Sequence, residues 1–212
     1  MPLPELERLV SVMARLRQEC PWDAQQTHRS LVQYLIEETA ETVEAIEAAD
    51  QDHLQEELGD LLLQVIFHAE LASEGVPGFS VEDVARGIAD KLISRHPYVF
   101  ATAEVPVDLH YTWEQRKAAE KGRTSALQGI PEQLSALARA NKIISRARSR
   151  RLALVLPDEP TTPDEVGAQM LALAARAQAA GIDPEQALRD AVRALESRVR
   201  HAESESNDAA SA

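Results

Sequence analysis

The spacing of apolar residues predicts helices along almost the whole chain. Apolar side chains recur every three or four residues, the spacing that keeps them on one face of an α-helix. The first helix, predicted from Pro4 to Glu19, carries this face: Leu6, Leu9, Val10, Met13 and Leu16. The apolar–polar alternation of half-buried strands is nearly absent, so we expect an all-α fold.

Polar caps and prolines set the predicted ends of the next helices. Thr27 or Ser30 is expected to cap the helix that follows residue 30. Asp50 or Asp52 should cap the next one, which fades near Ser73. The segment from residue 48 to 52 is then a short break that folds the two helices into an antiparallel hairpin.

Further along the chain, Gly75-Val-Pro-Gly78 predicts a turn. Ser80 with Asp83 then predicts a capping box for a helix that ends near Arg95. A proline disfavours helical backbone in the residue before it, so His96-Pro97 stops this helix. Another helix is predicted from Leu109 to about Lys121.

Two acidic clusters lie on the two helices of the predicted hairpin. The first reads Glu37-Glu38-x-x-Glu41 and the second Glu57-x-x-Asp60. Residues three apart share a helical face, so Glu38 points with Glu41 and Glu57 with Asp60. Four carboxylates that converge repel one another unless a cation lies among them. Oxygen ligands without nearby Cys or suitably spaced His favour Mg²⁺ or Mn²⁺ over Zn²⁺.

An acidic helix more often presents a solvated face, and the neighbouring residues decide between the two interpretations. Glu38 and Glu57 each lie at the edge of an apolar stripe, which places them beside the expected core. The stripes are Leu31, Val32, Leu35, Ile36, Thr42, Val43 and Ile46 on one helix and Leu54, Leu58, Leu61, Leu62, Val65 and Ala69 on the other. We therefore predict a metal site.

Two apolar residues lie away from the main stripe of the second acidic helix. Phe67 and Leu71 either cover a partner subunit or pack against the helix of residues 4–19. A single helical hairpin with carboxylates at the edge of its core cannot supply partners for all of these groups, so we expect the chain to oligomerise.

Basic and aromatic residues supply candidate substrate contacts. Lys91 and Arg95 lie four apart and present two cations from one helical face, although spacing alone favours a solvent-exposed basic pair. Trp22, Asp23 and Gln26 lie in a loop where a ring and an amide can stack on and read a base. A lone Trp beside Pro21 is more often a staple for the first helix, and Trp113 is expected to pack.

Four motifs together resemble the signature of the MazG family of nucleoside triphosphate pyrophosphohydrolases. They occur in the family's order across residues 5 to about 120. The motifs are Cys20-Pro-Trp-Asp-x-x-Gln-Thr27, the two acidic clusters with Glu57-Leu-Gly-Asp60, Asp90-Lys-Leu-x-x-Arg-His-Pro-Tyr-Val-Phe100, and Trp113-Glu-x-x-Lys117. The resemblance implies an all-α helical bundle, Mg²⁺-dependent hydrolysis of triphosphates to monophosphate and pyrophosphate, and a homodimer or larger assembly.

The resemblance also implies roles for individual residues. Glu38, Glu41, Glu57 and Asp60 would hold one or more Mg²⁺ ions, for which Mn²⁺ can substitute. Glu37 or Glu41 would orient or deprotonate the attacking water. Lys91 and Arg95 would stabilise charge on the phosphoryl oxygens, and Lys117 or a residue of a partner subunit would join them. His96 is either a further phosphate donor or a helix cap.

The second half of the chain resembles a degenerate copy of the first. Glu165-Val-Gly-Ala168 aligns with Glu57-Leu-Gly-Asp60, so alanine stands where the last ligand would be. Arg198 matches Arg95, but Ala194 stands in place of Lys91. A second acidic helix is missing; arginines and Leu156-Pro-Asp-Glu-Pro-Thr-Thr-Pro163 occupy its place.

This comparison predicts three segments. Residues 1–124 form a MazG-like catalytic domain, and residues 125–203 form a degenerate helical region without a complete metal site that has a structural or regulatory role. Residues 204–212 are expected to be a disordered tail.

Charge and cysteine content limit which molecules we expect the protein to bind and in which compartment we expect it. Residues 125–212 hold eleven Lys/Arg and twelve Asp/Glu, which leaves eleven and 23 before them, a net charge of −12. This acidity argues against binding the nucleic-acid backbone, whereas Mg²⁺ can bridge carboxylates to a triphosphate. A single cysteine, no basic and apolar leader and no membrane-length apolar run predict a cytoplasmic protein away from membranes.

Three functions remain open from sequence. The first is a broad-specificity nucleoside triphosphate pyrophosphohydrolase that clears the nucleotide pool. The second is a related all-α enzyme with one narrow substrate, such as dUTP or a phosphoribosyl nucleotide. The third is a non-catalytic nucleotide-binding or regulatory module, against which the intact first carboxylate set argues.

Overall fold

The computed structural model describes residues 3–211, except for the side chains of His110 and of residues 207–211. Among these residues the secondary structure is entirely helical, which confirms the all-α prediction. The helices are α1 Pro4–Glu19, α2 Pro21–Gln25, α3 Val32–Ala48, α4 Gln51–Ser73, α5 Val81–Arg95, α6 Pro97–Phe100, α7 Leu109–Glu120, α8 Ala136–Ser149, α9 Pro163–Ala179 and α10 Pro184–Ser211. No helix in this described part is long and apolar enough to cross a membrane.

The chain divides into two compact units, Met1–Phe100 and Ala101–Ala212. The first unit contains α1 to α6 and ends before the domain boundary predicted at residue 124. The second contains α7 to α10, so the helix that carries Trp113 and Lys117 belongs to it.

Local signals end most helices of the first unit where they were predicted. Cys20 has extended backbone before Pro21, which separates α1 from α2. The Asp50 carboxylate accepts hydrogen bonds from the N–H groups of Asp52 and His53 at 3.1 Å and caps α4. Ser80 and Asp83 form the predicted capping box of α5.

The predicted cap of α3 is wrong. The N-cap position is Leu31, and no side chain accepts a hydrogen bond there. Thr27 and Ser30 instead bond each other: the Thr27 N–H donates to Ser30 Oγ at 2.9 Å and the Ser30 N–H to Thr27 Oγ1 at 3.1 Å. Both hydroxyls stabilise the turn before the helix and are not available to its first N–H groups.

The predicted hairpin forms between α3 and α4. Only Ala49 and Asp50 separate the two helices, which pack against each other. Ala49 adopts a left-handed conformation with φ of 54°, which reverses the chain direction. Ala45 on α3 has no exposed surface and Ala69 on α4 is 2% exposed.

The core of the first unit lies between α1, the start of α3 and α4. Its buried members are Met13, Leu31, Ile66 and Phe67, surrounded by the half-buried Leu9, Val10, Tyr34, Leu63, Leu71 and Val81. Phe67, which is 3% exposed, therefore packs within this core rather than over a partner subunit, whereas Leu71 is half-buried at the core's edge. Arg17 also ties α1 to the end of α4, because its guanidinium makes two 2.8 Å hydrogen bonds to the Glu74 carboxylate.

The apolar stripes predicted as core are largely exposed in the single chain. The exposed apolar face, as we call it, runs over α3, α4 and α5 and consists of Val32, Leu35, Ile36, Val43, Ile46, Leu58, Leu62, Val65, Val84, Ile88, Leu92 and Ile93. Each of these side chains is 38–65% exposed. The α3–α4 contact is a narrow seam, since two helices cannot bury the whole apolar circumference of either.

The second unit has its own core between α8 and α10. Buried residues there are Ala126, Ile130, Ala140, Ile143, Ala147, Val192 and Val199. The proline-rich segment before α9 contains no helix, as predicted. Thr162 and Glu165 form a capping box that starts α9.

Helix α10 continues to Ser211, although residues 204–212 were expected to be disordered. Ala202 is buried, and the Glu203 carboxylate accepts hydrogen bonds from Ser125 Oγ at 2.8 Å and from the Ala126 N–H at 2.6 Å. These contacts hold the helix near its end, and no glycine or proline follows to stop it. Residue 212 lies outside the described residues.

Candidate functional site

Three acidic residues of the α3–α4 hairpin meet at one point. One carboxylate oxygen from each of Glu38, Glu41 and Glu57 lies within 4.8 Å of the other two. Glu38 and Glu41 are one turn apart on α3, and Glu57 faces them from α4. The short Ala49–Asp50 turn brings the two helix faces together, so sequence spacing and hairpin geometry both contribute to the cluster.

Asp60 and Glu37 extend the negative charge around this cluster. Burial raises the pKa of the Glu38 carboxyl above its ordinary value, and Asp60, Glu41, Glu57 and Glu37 raise it further, in that order. Asp60 thus has the largest effect of any carboxylate on Glu38, although it lies outside the set of three. Glu37 and Glu41 are exposed on α3.

Glu57 is the buried member of the cluster, with 6% of its surface exposed. Its Oε1 lies 2.9 Å from Nε2 of His53, one turn earlier on α4. Its Oε2 is buried and has no hydrogen-bond partner. An unpartnered buried carboxylate oxygen is costly, and a divalent cation would relieve both this cost and the repulsion within the cluster.

The donor set fits a hard divalent cation. All three oxygens come from carboxylates, which is the ligand chemistry of Mg²⁺ and Mn²⁺. Of the described residues, no other group of three His, Cys, Asp or Glu side chains is arranged to hold a metal. In the second unit, Glu165 is instead the capping-box partner of Thr162.

Lys91 and Arg95 lie on α5, which packs against α4. Lys91 is half-buried and Arg95 is 6% exposed. A buried guanidinium does not fit the solvent-exposed basic pair that spacing alone favoured. His96 ends α5 as a cap, with Nδ1 2.6 Å from the Leu92 carbonyl oxygen.

Trp22 and Asp23 lie on α2 and not in the predicted loop, and Gln26 follows as the C-cap of that helix. Trp22 packs edge-on against Tyr34 and Phe67 and leaves half of its surface exposed. Gln26 donates from Nε2 to the Trp22 carbonyl and accepts from Ser30 Oγ, so both ends of its amide are engaged locally. The half-buried Asp23 accepts a hydrogen bond from Arg17 through its backbone carbonyl. Of the three, Trp22 offers an open surface.

Lys117 does not belong to the unit that carries the carboxylate cluster. It lies on α7 in the second unit, where its ammonium pairs with Glu114 at 3.2 Å. Trp113, expected to pack, is half-buried on the same helix.

His53 is a residue that the sequence reasoning missed. The signal was present as His53-x-x-x-Glu57, a spacing of one helical turn on the face that carries the second acidic cluster. His53 is not part of the group of possible metal ligands; it contacts Glu57, a carboxylate of that group.

The fold and the site define an all-α protein with a cluster of carboxylates on a helical hairpin. Comparison with known proteins identifies its family. The family model "MazG nucleotide pyrophosphohydrolase domain" matches residues 26–100. The nucleoside triphosphate pyrophosphohydrolase/pyrophosphatase MazG of Thermotoga maritima is 37% identical over 93% of this chain and 85% of that protein. The chain belongs to the MazG family.

Two further relatives differ in length. An uncharacterised 26.1 kDa protein of Streptomyces cacaoi is 46% identical over 96% of this chain and 84% of its own length. The nucleoside triphosphate pyrophosphohydrolase of Escherichia coli K12 is 45% identical over 67% of this chain, and the match spans 57% of that protein. The chain therefore spans less than two thirds of some curated relatives and most of others.

Proposed function

We propose that the protein hydrolyses nucleoside triphosphates to the monophosphate and pyrophosphate, with broad specificity, and so clears the nucleotide pool of the cytoplasm. The observation that carries the proposal is the carboxylate cluster with its unpartnered buried Glu57 oxygen. The names of the Thermotoga and Escherichia relatives support the reaction class.

In this proposal Glu38, Glu41, Glu57 and Asp60 hold Mg²⁺, with Mn²⁺ as a substitute. When bound, the cation neutralises the carboxylates and polarises a phosphoryl oxygen of the substrate. Lys91 and Arg95 place positive charge toward the phosphate oxygens, where charge develops as the anhydride bond breaks. Trp22 stacks on the base through its open face.

The exposed carboxylates of α3 serve the attacking water. Glu37 or Glu41 orients this water and accepts its proton as the oxygen attacks phosphorus. The bond that breaks joins the monophosphate to the pyrophosphate leaving group. Water thus supplies the oxygen of one product, and the carboxylate holds the proton until release.

A substrate panel tests the proposal. Pyrophosphate release is measured for canonical and modified triphosphates, including dUTP, with and without Mg²⁺. We expect Mg²⁺-dependent release from several substrates, loss of release in Asp60→Ala, and wild-type release in Glu44→Gln, an exposed carboxylate on α3 outside the cluster. Release from dUTP alone would favour the narrow enzyme, and nucleotide binding without any release would favour the non-catalytic module.

We further propose that a second copy of the chain covers the exposed apolar face. Single exposed apolar residues are ordinary, but twelve of them on three neighbouring helices mark an interaction surface. Its position on the hairpin that carries the carboxylates links assembly to the site. Light scattering should give twice the 23.3 kDa chain mass.

Variants on α3 separate this dimer from general surface effects. Val43→Glu together with Ile46→Glu should give a monomer with little activity. Val155→Glu is the matched control, because Val155 is 90% exposed and lies outside this face. A wild-type monomer with full activity would overturn the dimer proposal and leave the metal centre standing.

A further inference from the structure

Among the described residues, His53 is the one side chain with a hydrogen-bond donor that contacts the carboxylate cluster. It does so at Glu57. They lie four residues apart on α4, with Nε2 of His53 2.9 Å from Oε1 of Glu57. A carboxylate oxygen cannot donate, so this contact is favourable when Nε2 of His53 carries a proton. This contact occupies Oε1 and leaves Oε2 of Glu57 buried and without a partner.

The two side chains differ in their surroundings. Glu57 has 8% of its side chain exposed, whereas His53 has 40%. The imidazole therefore reaches inward from the rim of the cluster to a carboxylate that water barely reaches. A buried carboxylate with one oxygen held by a donor has a defined direction for the other oxygen.

We infer that His53 is the positioning residue of the metal centre: it holds Glu57 so that Oε2 is presented to the divalent cation. This inference rests on the proposed metal site. Carboxylates that bind a metal are commonly hydrogen-bonded by an outer residue, which fixes their orientation, and loss of such a partner typically costs 10–100-fold in metal affinity.

The chain contains a matched pair that lacks this role. His201 and Glu205 also lie four residues apart on a helix, with Nε2 3.3 Å from Oε1. Their side chains are 77% and 65% exposed, and they belong to the second unit. A general benefit of His–Glu spacing on a helix would appear in both pairs, whereas positioning of a ligand concerns His53 alone.

Mn²⁺ titration of the full-length protein, followed by electron paramagnetic resonance, tests the inference without turnover. Wild type is compared with His53→Leu, His53→Gln and His201→Leu. We expect His53→Leu to weaken Mn²⁺ binding about 10–100-fold. His53→Gln should recover most of the affinity because its amide also donates a hydrogen bond, and His201→Leu should bind as wild type does.

Two controls keep the outcomes separate. Circular dichroism checks the folding of each variant, and Glu57→Gln reports whether Mn²⁺ binds at the cluster. If His53→Leu binds as tightly as wild type, or if His53→Gln is as weak as His53→Leu, the positioning role is wrong and the metal centre stands. If wild type binds no Mn²⁺, or Glu57→Gln leaves binding unchanged, the proposed metal centre itself fails, and the inference with it.

Discussion

The carboxylate cluster of the α3–α4 hairpin and the carboxylates of the second unit have different partners. In the second unit, Glu196 accepts hydrogen bonds from Nε and Nη2 of Arg139 at 2.8 and 2.6 Å, and Glu203 accepts from Ser125 and Ala126. In the hairpin of the first unit, carboxylates instead face one another, and Glu57 keeps an oxygen without a partner. Arginine and N–H donors thus satisfy the carboxylates of the second unit, whereas those of the hairpin are left facing one another.

This difference separates acidic patterns that serve structure from those that serve chemistry. Glu38 meets four carboxylates that raise its pKa, whereas Glu196 and Glu203 meet arginine or N–H donors. Arginine offsets the charge of these carboxylates in the second unit, Glu196 through Arg139 and Glu203 through Arg150. Arginine partners make its carboxylates part of the fold.

The largest expected difference is in pyrophosphate release, when a buried glutamate is changed to glutamine in the hairpin or in the second unit. Glu57→Gln should lower pyrophosphate release by about 100-fold or more, since it removes a ligand and not only an outer partner. Glu196→Gln should retain wild-type release per folded molecule. Equal losses in both variants, measured at saturating Mg²⁺, would contradict the contrast.

A second prediction concerns the stability of the partnered carboxylates. Arg139→Ala leaves Glu196 buried with only the exposed Arg200 nearby, so the free energy of unfolding should fall by about 2–3 kcal/mol. Arg193→Ala removes a pair with the exposed Asp190 and should cost less than about 1 kcal/mol. Urea unfolding followed by circular dichroism measures both, and similar costs would mean that burial of the Arg139–Glu196 pair has no consequence.

A third prediction concerns repulsion within the metal-free cluster. Glu38→Gln removes one charge within 4.8 Å of two others, so in EDTA it should stabilise the protein by about 1 kcal/mol, or about 2–4 °C in melting temperature. Addition of Mg²⁺ should raise the melting temperature of wild type and not that of the variant. A lower melting temperature for Glu38→Gln in EDTA would show that the carboxylate is already satisfied within the chain.

The smallest effect compares the two capping boxes by pH. Hydrogen bonds from Ser80 and Arg86 lower the pKa of Asp83 to about 2, while hydrogen bonds from Thr162 and Thr161 lower the pKa of Glu165 without a cation. Each folded-state pKa lies below its unfolded value. The stabilisation from Asp83 is therefore present above pH 3.8 and is lost as the pH falls through about 2.

Carbon-detected NMR titration of the side-chain carboxyls checks this prediction. Arg86→Ala should raise the pKa of Asp83 and leave that of Glu165 unchanged. An unchanged Asp83 titration would mean that the backbone and hydroxyl donors of Ser80 account for the whole shift.

The helix boundaries show how far local sequence reaches. Pro21, Asp50 and the Ser80–Asp83 box act within a few residues of themselves, so their effects could be predicted. The predicted cap of α3 was wrong because the hydroxyls of Thr27 and Ser30 have other local partners. They bond each other instead of the first N–H groups of the helix. Glu203 near the end of α10 is held by Ser125 and Ala126, far away in sequence, which local signals cannot predict.

The candidate site was predicted in part for the same reason. One-turn spacing alone placed Glu38 beside Glu41, and the short turn indicated that Glu57 would face them. Spacing could not tell that Arg95 is buried, that Lys117 pairs with Glu114, or that the amide of Gln26 is engaged at both ends. Those outcomes depend on which surfaces meet.

The sequence by itself determined the all-α class, the hairpin and the pairing of acids on each helix, because these follow from the period of the helix and from turns of a few residues. Tertiary structure decided which apolar residues form the core: Phe67 packs on α1, whereas Val43 and Ile46 remain exposed. It also decided that His53 contacts Oε1 of the buried Glu57. Burial and the choice of partner depend on how helices pack across the chain, which periodicity within one helix does not contain.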